Sequence, residues 1–321
     1  MWDFFSHTYC LISDIRIPES PDSCKFRSNS IVCIMANLQV NGTSLSFLEG
    51  GSGLPVLLVH GSAGDRRTWK HQLDGLSGAL RVITYSRRYH WPNVKIEDGY
   101  EYNLAEQVHD LEQVLHELGV APVHLVGHSY GALICLQLAM QAPALVRSMV
   151  LAEPPIMTLL VDVPPKPAEI FRLLLRSPKT AIGIMKLGAL GMEPAKAAFL
   201  RGDLDKAMEK LGQGILGKHH FKNLSQERKA QVRDNLIKEE LLSEGFLPRF
   251  NPDTVVNVSH PVLLVEGTDS PRVMHQLLNH LEKLLPNVQR IAIKNASHIM
   301  HEDIPVDYNQ AILRFVMETE K

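Results

Sequence analysis

VHLVGHSYGALICLQLAM, residues 123–140, decides how this sequence folds. VHLVG is a short apolar run, and ALICLQLAM has a helix's content of Leu, Ala and Met. Between them, Gly127-His128-Ser129-Tyr130-Gly131 sets a glycine on each side of a serine. Small residues let the chain turn sharply from strand into helix and leave the Ser129 side chain exposed at the bend. The helix N-terminus that follows favours negative charge beside that hydroxyl. G-x-S-x-G alone is a weak signal, because glycine and serine are common. The strand before it and the helix after it make it specific.

Working outward, the same alternation recurs. PVLLVHG (55–61), RVITYS (81–86), SMVLAE (148–153), PVLLVEG (261–267) and RIAIKN (290–295) are nearly continuous apolar runs, as parallel strands buried on both faces should be. LQV and TSLSF flank Asn41-Gly42, a strong hairpin signal. NLAEQVHDLEQVLHEL (103–118) reads as a helix. Asn103 and Glu106 form a capping box, Leu104, Val108, Leu111, Leu115 and Leu118 share a face, and Gly119 ends it. Further helices are expected near 272–285 and 305–318. The fold class is α/β, with a mostly parallel sheet flanked by helices.

Between Glu153 and Pro261 the alternation stops. IFRLLLR and LSQERKAQVRDNLIKEELL are helical patterns, and no strand is convincing there. A helical insertion between two late strands is expected to cap the sheet's C-terminal edge, where open α/β sheets bind ligands. VPPKP (163–167) and LPRFNP (247–252) are its expected hinges. The organisation is therefore a core of 35–153 and 261–321, a helical cap of 154–260, and a poorly patterned N-terminal extension, 1–34.

Composition excludes several classes. The 321 residues are 45% apolar with a formal charge of −2, and no basic stripe marks a nucleic-acid partner. No apolar stretch approaches the roughly 20 residues that span a bilayer. The first residues lack a basic n-region, and Asp3 and Asp14 interrupt their apolar content, which argues against a secretory signal. Cys10, Cys24, Cys33 and Cys135 do not form a disulfide framework, so free thiols in a reducing cytoplasm are expected. His219-His220 has no Cys or carboxylate at ligand spacing, and no metal site is expected.

With these elements in place, residues 36–318 resemble the α/β-hydrolase superfamily. HGSAGD (60–65) is similar to the family's loop after an early strand. The resemblance implies that the backbone N–H groups of Ser62 and Tyr130 form an oxyanion hole. A serine nucleophile needs a base. NASHIMHEDIP (295–305) resembles the loop that carries the family's catalytic histidine, which implies His298, with His301 as the fallback. The chain order of Ser129, acid, His298 matches the family. Serine at the bend sets the chain apart from the dehalogenase and epoxide-hydrolase branches, which use aspartate. Esterases and lipases, lactonases, C–C bond hydrolases and perhydrolases remain.

Two residues compete for the acid. Many relatives carry an aspartate three residues after a strand-end glycine and just before a proline. Here Gly267-Thr268-Asp269-Ser270-Pro271 puts Ser270 at that place. Asp269 is one residue early, and neighbouring side chains at an extended strand end point to opposite sides. Glu153 ends an otherwise apolar strand, where a lone charge is costly without a partner, and some relatives place the acid there. Glu153 is the preferred reading and Asp269 the alternative.

SRRYHW (86–91) stands where relatives have an Asp-x-Arg-Gly-x-Gly turn. Trp69, Arg88, Tyr89 and Trp91 are the candidate substrate pocket, against the plainer reading that Arg87 and Arg88 brace loops. The expected activity is hydrolysis of a small carboxylic ester by Ser129, His298 and Glu153, with no cofactor. Two alternatives are hydrolysis of a C–C bond beside a carbonyl, and a ligand receptor on the same fold.

Overall fold

A computed structural model describes residues 33–321. The expectations for Cys10, Cys24 and the leader fall on residues 1–32, outside the described residues. Strands β1 (Cys33–Val40) and β2 (Thr43–Gly50) form an antiparallel hairpin in which Val40 faces Thr43. Asn41 and Gly42 both take positive φ (44° and 75°), as a two-residue type I′ turn requires. Residues 33 and 34 thus belong to a strand rather than to the extension.

The sheet continues with β3 (Pro55–Val59), β4 (Arg81–Tyr85), β5 (Val123–His128), β6 (Val146–Ala152), β7 (Val262–Gly267) and β8 (Val288–Ile293), in the order β1-β2-β4-β3-β5-β6-β7-β8. β2 pairs antiparallel with β4, and from β4 to β8 all pairings are parallel. The continuous apolar runs follow from burial on both faces. In β3, Leu57 and Val59 face one core cluster, while Val56 and Leu58 face the other. All four are fully buried, each stabilising the fold by about 1.5–3 kcal/mol.

Helices α1 (Lys70–Leu76), α2 (Leu104–Leu118) and α3 (Tyr130–Gln141) connect the early strands. Asn103 accepts the Glu106 N–H at 2.8 Å and Gly119 adopts the left-handed conformation, so α2 begins and ends where its sequence says. Leu104, Val108, Leu111 and Leu115 are buried along its core face. Between β6 and β7 there are helices and no strand. They are α4 (Pro167–Arg176), α5 (Pro178–Leu187), α6 (Glu193–Leu200), α7 (Leu204–Leu216), α8 (Lys218–Asn223), α9 (Gln226–Asp234), α10 (Glu239–Leu242) and α11 (Pro252–Val255). A π-helical segment, Gly188–Met192, joins α5 to α6. After β7 come α12 (Arg272–Glu282), α13 (Met300–Asp303) and α14 (Pro305–Thr319). No helix among the described residues is long and apolar enough to cross a membrane.

Candidate active site

Ser129 sits between β5 and α3 with φ 51° and ψ −121°, a conformation that non-glycine residues adopt at a cost of about 1–3 kcal/mol. Its N–H is tied to the Ala152 carbonyl at 2.8 Å, and its side chain makes no capping bond to α3. The two flanking glycines are there for close approach. A Cβ on Gly131 would lie 2.1 Å from the Val59 carbonyl oxygen, and one on Gly127 2.5 Å from Ala132 Cα. The bend fits only because both side chains are missing.

His298 and Glu153 meet beside this serine. His298 Nδ1–H donates to Glu153 Oε2 at 2.6 Å, and Glu153 Oε1 accepts the Gly267 N–H at 3.0 Å. Both residues are buried, so the carboxylate has a partner for each oxygen where an unpaired charge would be costly. Ser129, Glu153 and His298 line one chamber of about 80 Å³ together with Ser62, Tyr130 and a wall of Met157, Ile215, Phe246 and Met274. A second chamber of about 90 Å³ shares Ser62, Ala63, Ser129 and His298 and continues to Met208, Phe221 and Leu224. In the helical segment between β6 and β7, α7 lines both chambers, α10 the first and α9 the second. Larger cavities of about 440 and 450 Å³ exist, but neither is lined by Ser129 or His298. Chemistry, not size, marks the site.

Asp269 does not join this cluster. Its carboxylate is about half exposed, accepts the Thr268 hydroxyl at 3.1 Å and lies 3.7 Å from His220 Nε2. The turn that contains it supports the histidine loop through the backbone instead. Asp269 N–H donates to the Ala296 carbonyl at 2.8 Å, and the Asn295 N–H donates to Thr268 Oγ1 at 2.8 Å. A Cβ on Gly267 would lie 2.3 Å from the carbonyl oxygens of Ala296 and Ser297. Ser270 is buried, and among the described residues its hydroxyl has no hydrogen-bond partner.

The histidine loop is held from other directions too. Ser297 donates its N–H and hydroxyl to Asp303 Oδ2 at 2.8 and 2.6 Å. His128 Nε2–H donates to the His298 carbonyl at 2.7 Å. Burial, reinforced by His301 and His298, holds His128 well below the usual histidine range, so it serves as a neutral donor. His301 is buried between Trp69 and His128, with ring centroids 4.8 and 4.4 Å away, and does not line the Ser129 chambers.

The loop carrying Ser62 is clamped by an arginine. Arg87 donates to the carbonyls of His60 (3.0 Å) and Gly61 (3.1 Å), to Tyr102 Oη and to Glu240 Oε1 (3.3 Å). Burial alone would raise the Glu240 carboxyl, but His90, Arg87 and a hydrogen bond with the Ser62 side chain hold it below the usual range. Tyr130 begins α3, so its N–H has no acceptor within the helix. Its ring stacks on Phe246 at 4.3 Å and its hydroxyl donates to the Phe246 carbonyl. Glu240 is the polar residue that sequence reasoning missed. Nothing in KEELL distinguishes it from a solvated helix face, and it acquires its partners only when α10 packs over β4's C-terminal end.

The aromatic and arginine residues read as a substrate pocket lie elsewhere. Trp69 is fully buried in the core on the α1–α14 side of the sheet. Arg88 pairs with Asp110 at 2.7 Å and reaches the Asn41 carbonyl, which anchors the hairpin turn. Tyr89 packs edge-on against Tyr100 at 5.6 Å, and Trp91 lies under the Arg67 guanidinium at 3.8 Å. None of the four lines a Ser129 chamber, and each packs against or pairs with other residues. The walls are supplied mainly by aliphatic side chains of the helical segment.

Comparison with known proteins agrees with this architecture. The family pattern described as alpha/beta hydrolase fold matches residues 55–305. The chain is 26% identical over 304 residues to the sn-1-specific diacylglycerol lipase ABHD11 of Mus musculus, covering 88% of this chain and 87% of that one. It is 33% identical over 134 residues to the uncharacterized hydrolase YraK of Bacillus subtilis, covering 42% of this chain and 49% of that one. Its fold is like that of a thermophilic esterase from Thermogutta terrifontis, with a TM-score of 0.69 at 19% identity over 89% of this chain and 99% of that one. The chain belongs to the α/β-hydrolase fold family.

Proposed function

We propose that this protein is a serine hydrolase that cleaves carboxylic esters through an acyl-enzyme on Ser129. The observation that carries the reading is the 2.6 Å contact of His298 Nδ1 with Glu153, made in the chamber that Ser129 lines. With Nδ1–H committed to the carboxylate, Nε2 is left as the basic nitrogen. It takes the Ser129 proton as the hydroxyl oxygen attacks the acyl carbon. Glu153 holds the tautomer and stabilises the imidazolium that forms. The N–H groups of Ser62 and Tyr130 receive the oxyanion, and Arg87 and Glu240 keep the Ser62 loop in place for it. His298 then protonates the departing alcohol and activates water to release the acid.

Residues 154–260 act as a cap in this reading. Its aliphatic side chains exclude water and favour an apolar acyl group, as the likeness to a diacylglycerol lipase also suggests. The test is labelling with a fluorophosphonate, then turnover of a panel of p-nitrophenyl esters. An adduct on Ser129 that Ser129→Ala abolishes, with multiple turnover of esters, is the expected result. Absence of an adduct overturns the reading. Turnover confined to vinylogous diketones moves the reaction to C–C cleavage, and a single slow turnover points to a receptor.

A further inference from the structure

Exposed large apolar side chains concentrate on one part of the helical segment. Phe171 and Leu175, one turn apart on α4, are 63% and 72% exposed, and Leu190 in the π-helical segment is 67% exposed. Ile182 and Met185 on α5 are nearly half exposed. Scattered single residues of this kind need no explanation, but five within 20 positions of neighbouring helices are a local enrichment. α4 packs on α5, and α5 runs through the π-helical segment into α6.

The charge of this region is distinctive as well. Residues 162–201 hold seven Lys and Arg against Asp162, Glu169 and Glu193, a net of +4 in a chain whose total is −2. Arg172, Arg176, Lys179, Lys186 and Arg201 are all exposed. Helices that combine exposed Phe and Leu with Lys and Arg lie in the interface of an anionic bilayer.

A groove beside this face shares walls with the site. Met185 lines a largely apolar groove of about 450 Å³ with Ile184, Leu187 and Met192. Leu187 and Met192 line the chamber that holds Ser129. A second copy of the chain is a poorer occupant, since a two-fold pairing of this face would set its positive charges against each other.

We propose that the α4–α5 face, with the π-helical segment, is a docking surface for an anionic lipid bilayer. Phe171, Leu175, Ile182, Met185 and Leu190 enter the boundary between headgroups and acyl chains, and the basic residues meet the lipid phosphates. This inference does not depend on the proposed reaction, and it is tested by binding with the inactive Ser129→Ala protein. The assay is co-sedimentation with vesicles of phosphatidylcholine, with or without phosphatidylserine. Binding is expected to the phosphatidylserine vesicles and to weaken at high salt. Phe171→Glu combined with Leu175→Glu should lower the partition by about tenfold or more. Both positions are exposed, and an unchanged melting temperature verifies that the fold is kept. Lys179→Glu combined with Lys186→Glu should weaken binding to phosphatidylserine vesicles and remove its salt dependence. No sedimentation with either vesicle overturns the proposal. So does a concentration-dependent dimer, without vesicle binding, that the Phe171 and Leu175 substitutions dissociate.

Discussion

His298 Nδ1 donates to Glu153 Oε2 at 2.6 Å across 145 positions of sequence. The contact exists because β6 and β7 pair in parallel, so Glu153 at the end of β6 reaches past the end of β7 to the loop after β8. The same carboxylate takes the Gly267 N–H, which ties Glu153, the turn after β7 and the histidine loop into one unit.

This unit makes the two acid candidates separable. Glu153→Gln should lower kcat by about 10⁴, because the amide reverses the donor that fixes the imidazole tautomer. Asp269→Asn should change kcat by less than about threefold, since that carboxylate is half exposed and contacts only Thr268 and His220 among the described residues. Steady-state kinetics on one ester reads both. The opposite ranking removes Glu153 from the mechanism.

Gly267→Ala tests the backbone side of the unit. A methyl group there lies 2.3 Å from two carbonyl oxygens of the histidine loop, so that loop must shift. A displacement of about 1 Å can reduce a rate by about 10², so kcat should fall about a hundredfold. KM should change far less, because the apolar chamber walls come from other elements. A wild-type kcat in the Gly267→Ala protein contradicts the placement.

How much of this was legible in the sequence depends on how local the cause is. The Asn41-Gly42 turn, the Asn103 cap and the bend at Ser129 are set by neighbours within a few positions, and their boundaries are readable. The apolar strands are readable because burial on both faces leaves no alternation to disguise. Gly267-Thr268-Asp269-Ser270 is harder. Its residues look like an acid turn, but its structural role is to support the Ala296–Ser297 backbone, a contact across β7 and β8. Trp69 and Trp91 carry no local sign of their surroundings, since their partners His301 and Arg67 are brought up by packing. Glu240 is illegible for the same reason.

Glu240→Ala addresses that buried pair. Arg87 and Glu240 are both almost fully buried at 3.3 Å, and the substitution leaves the guanidinium without its carboxylate. Breaking such a pair costs about 3–5 kcal/mol, so a large fall in unfolding free energy is expected in urea melts. Glu240→Gln keeps an acceptor for Arg87 but not the charge, so it should recover only a minor part of the stability. A wild-type urea midpoint for Glu240→Ala refutes the assignment.

Four of the buried histidines make stability depend on pH in a defined direction. His60, His90, His128 and His301 are all held below the usual value of 6.5, chiefly by burial, with neighbouring Arg87 acting on His60 and His90. About one unit or more above pH 6.5 they are neutral in both the folded and the unfolded chain, and stability does not depend on them. Below it the unfolded chain binds protons that the folded chain refuses, so stability falls with falling pH until each folded value is reached. Each such histidine contributes a slope of up to about 1.4 kcal/mol per pH unit, so unfolding should take up protons below that pH. Urea melts at pH 7.5, 6.5 and 5.5 measure this directly. His301→Gln should flatten the slope below pH 6.5 and change it little well above. A slope that is the same on both sides of pH 6.5 would mean that these rings are solvated, and that the packing of His128 against His298 and His301 is looser than the 4.4–4.7 Å ring separations require.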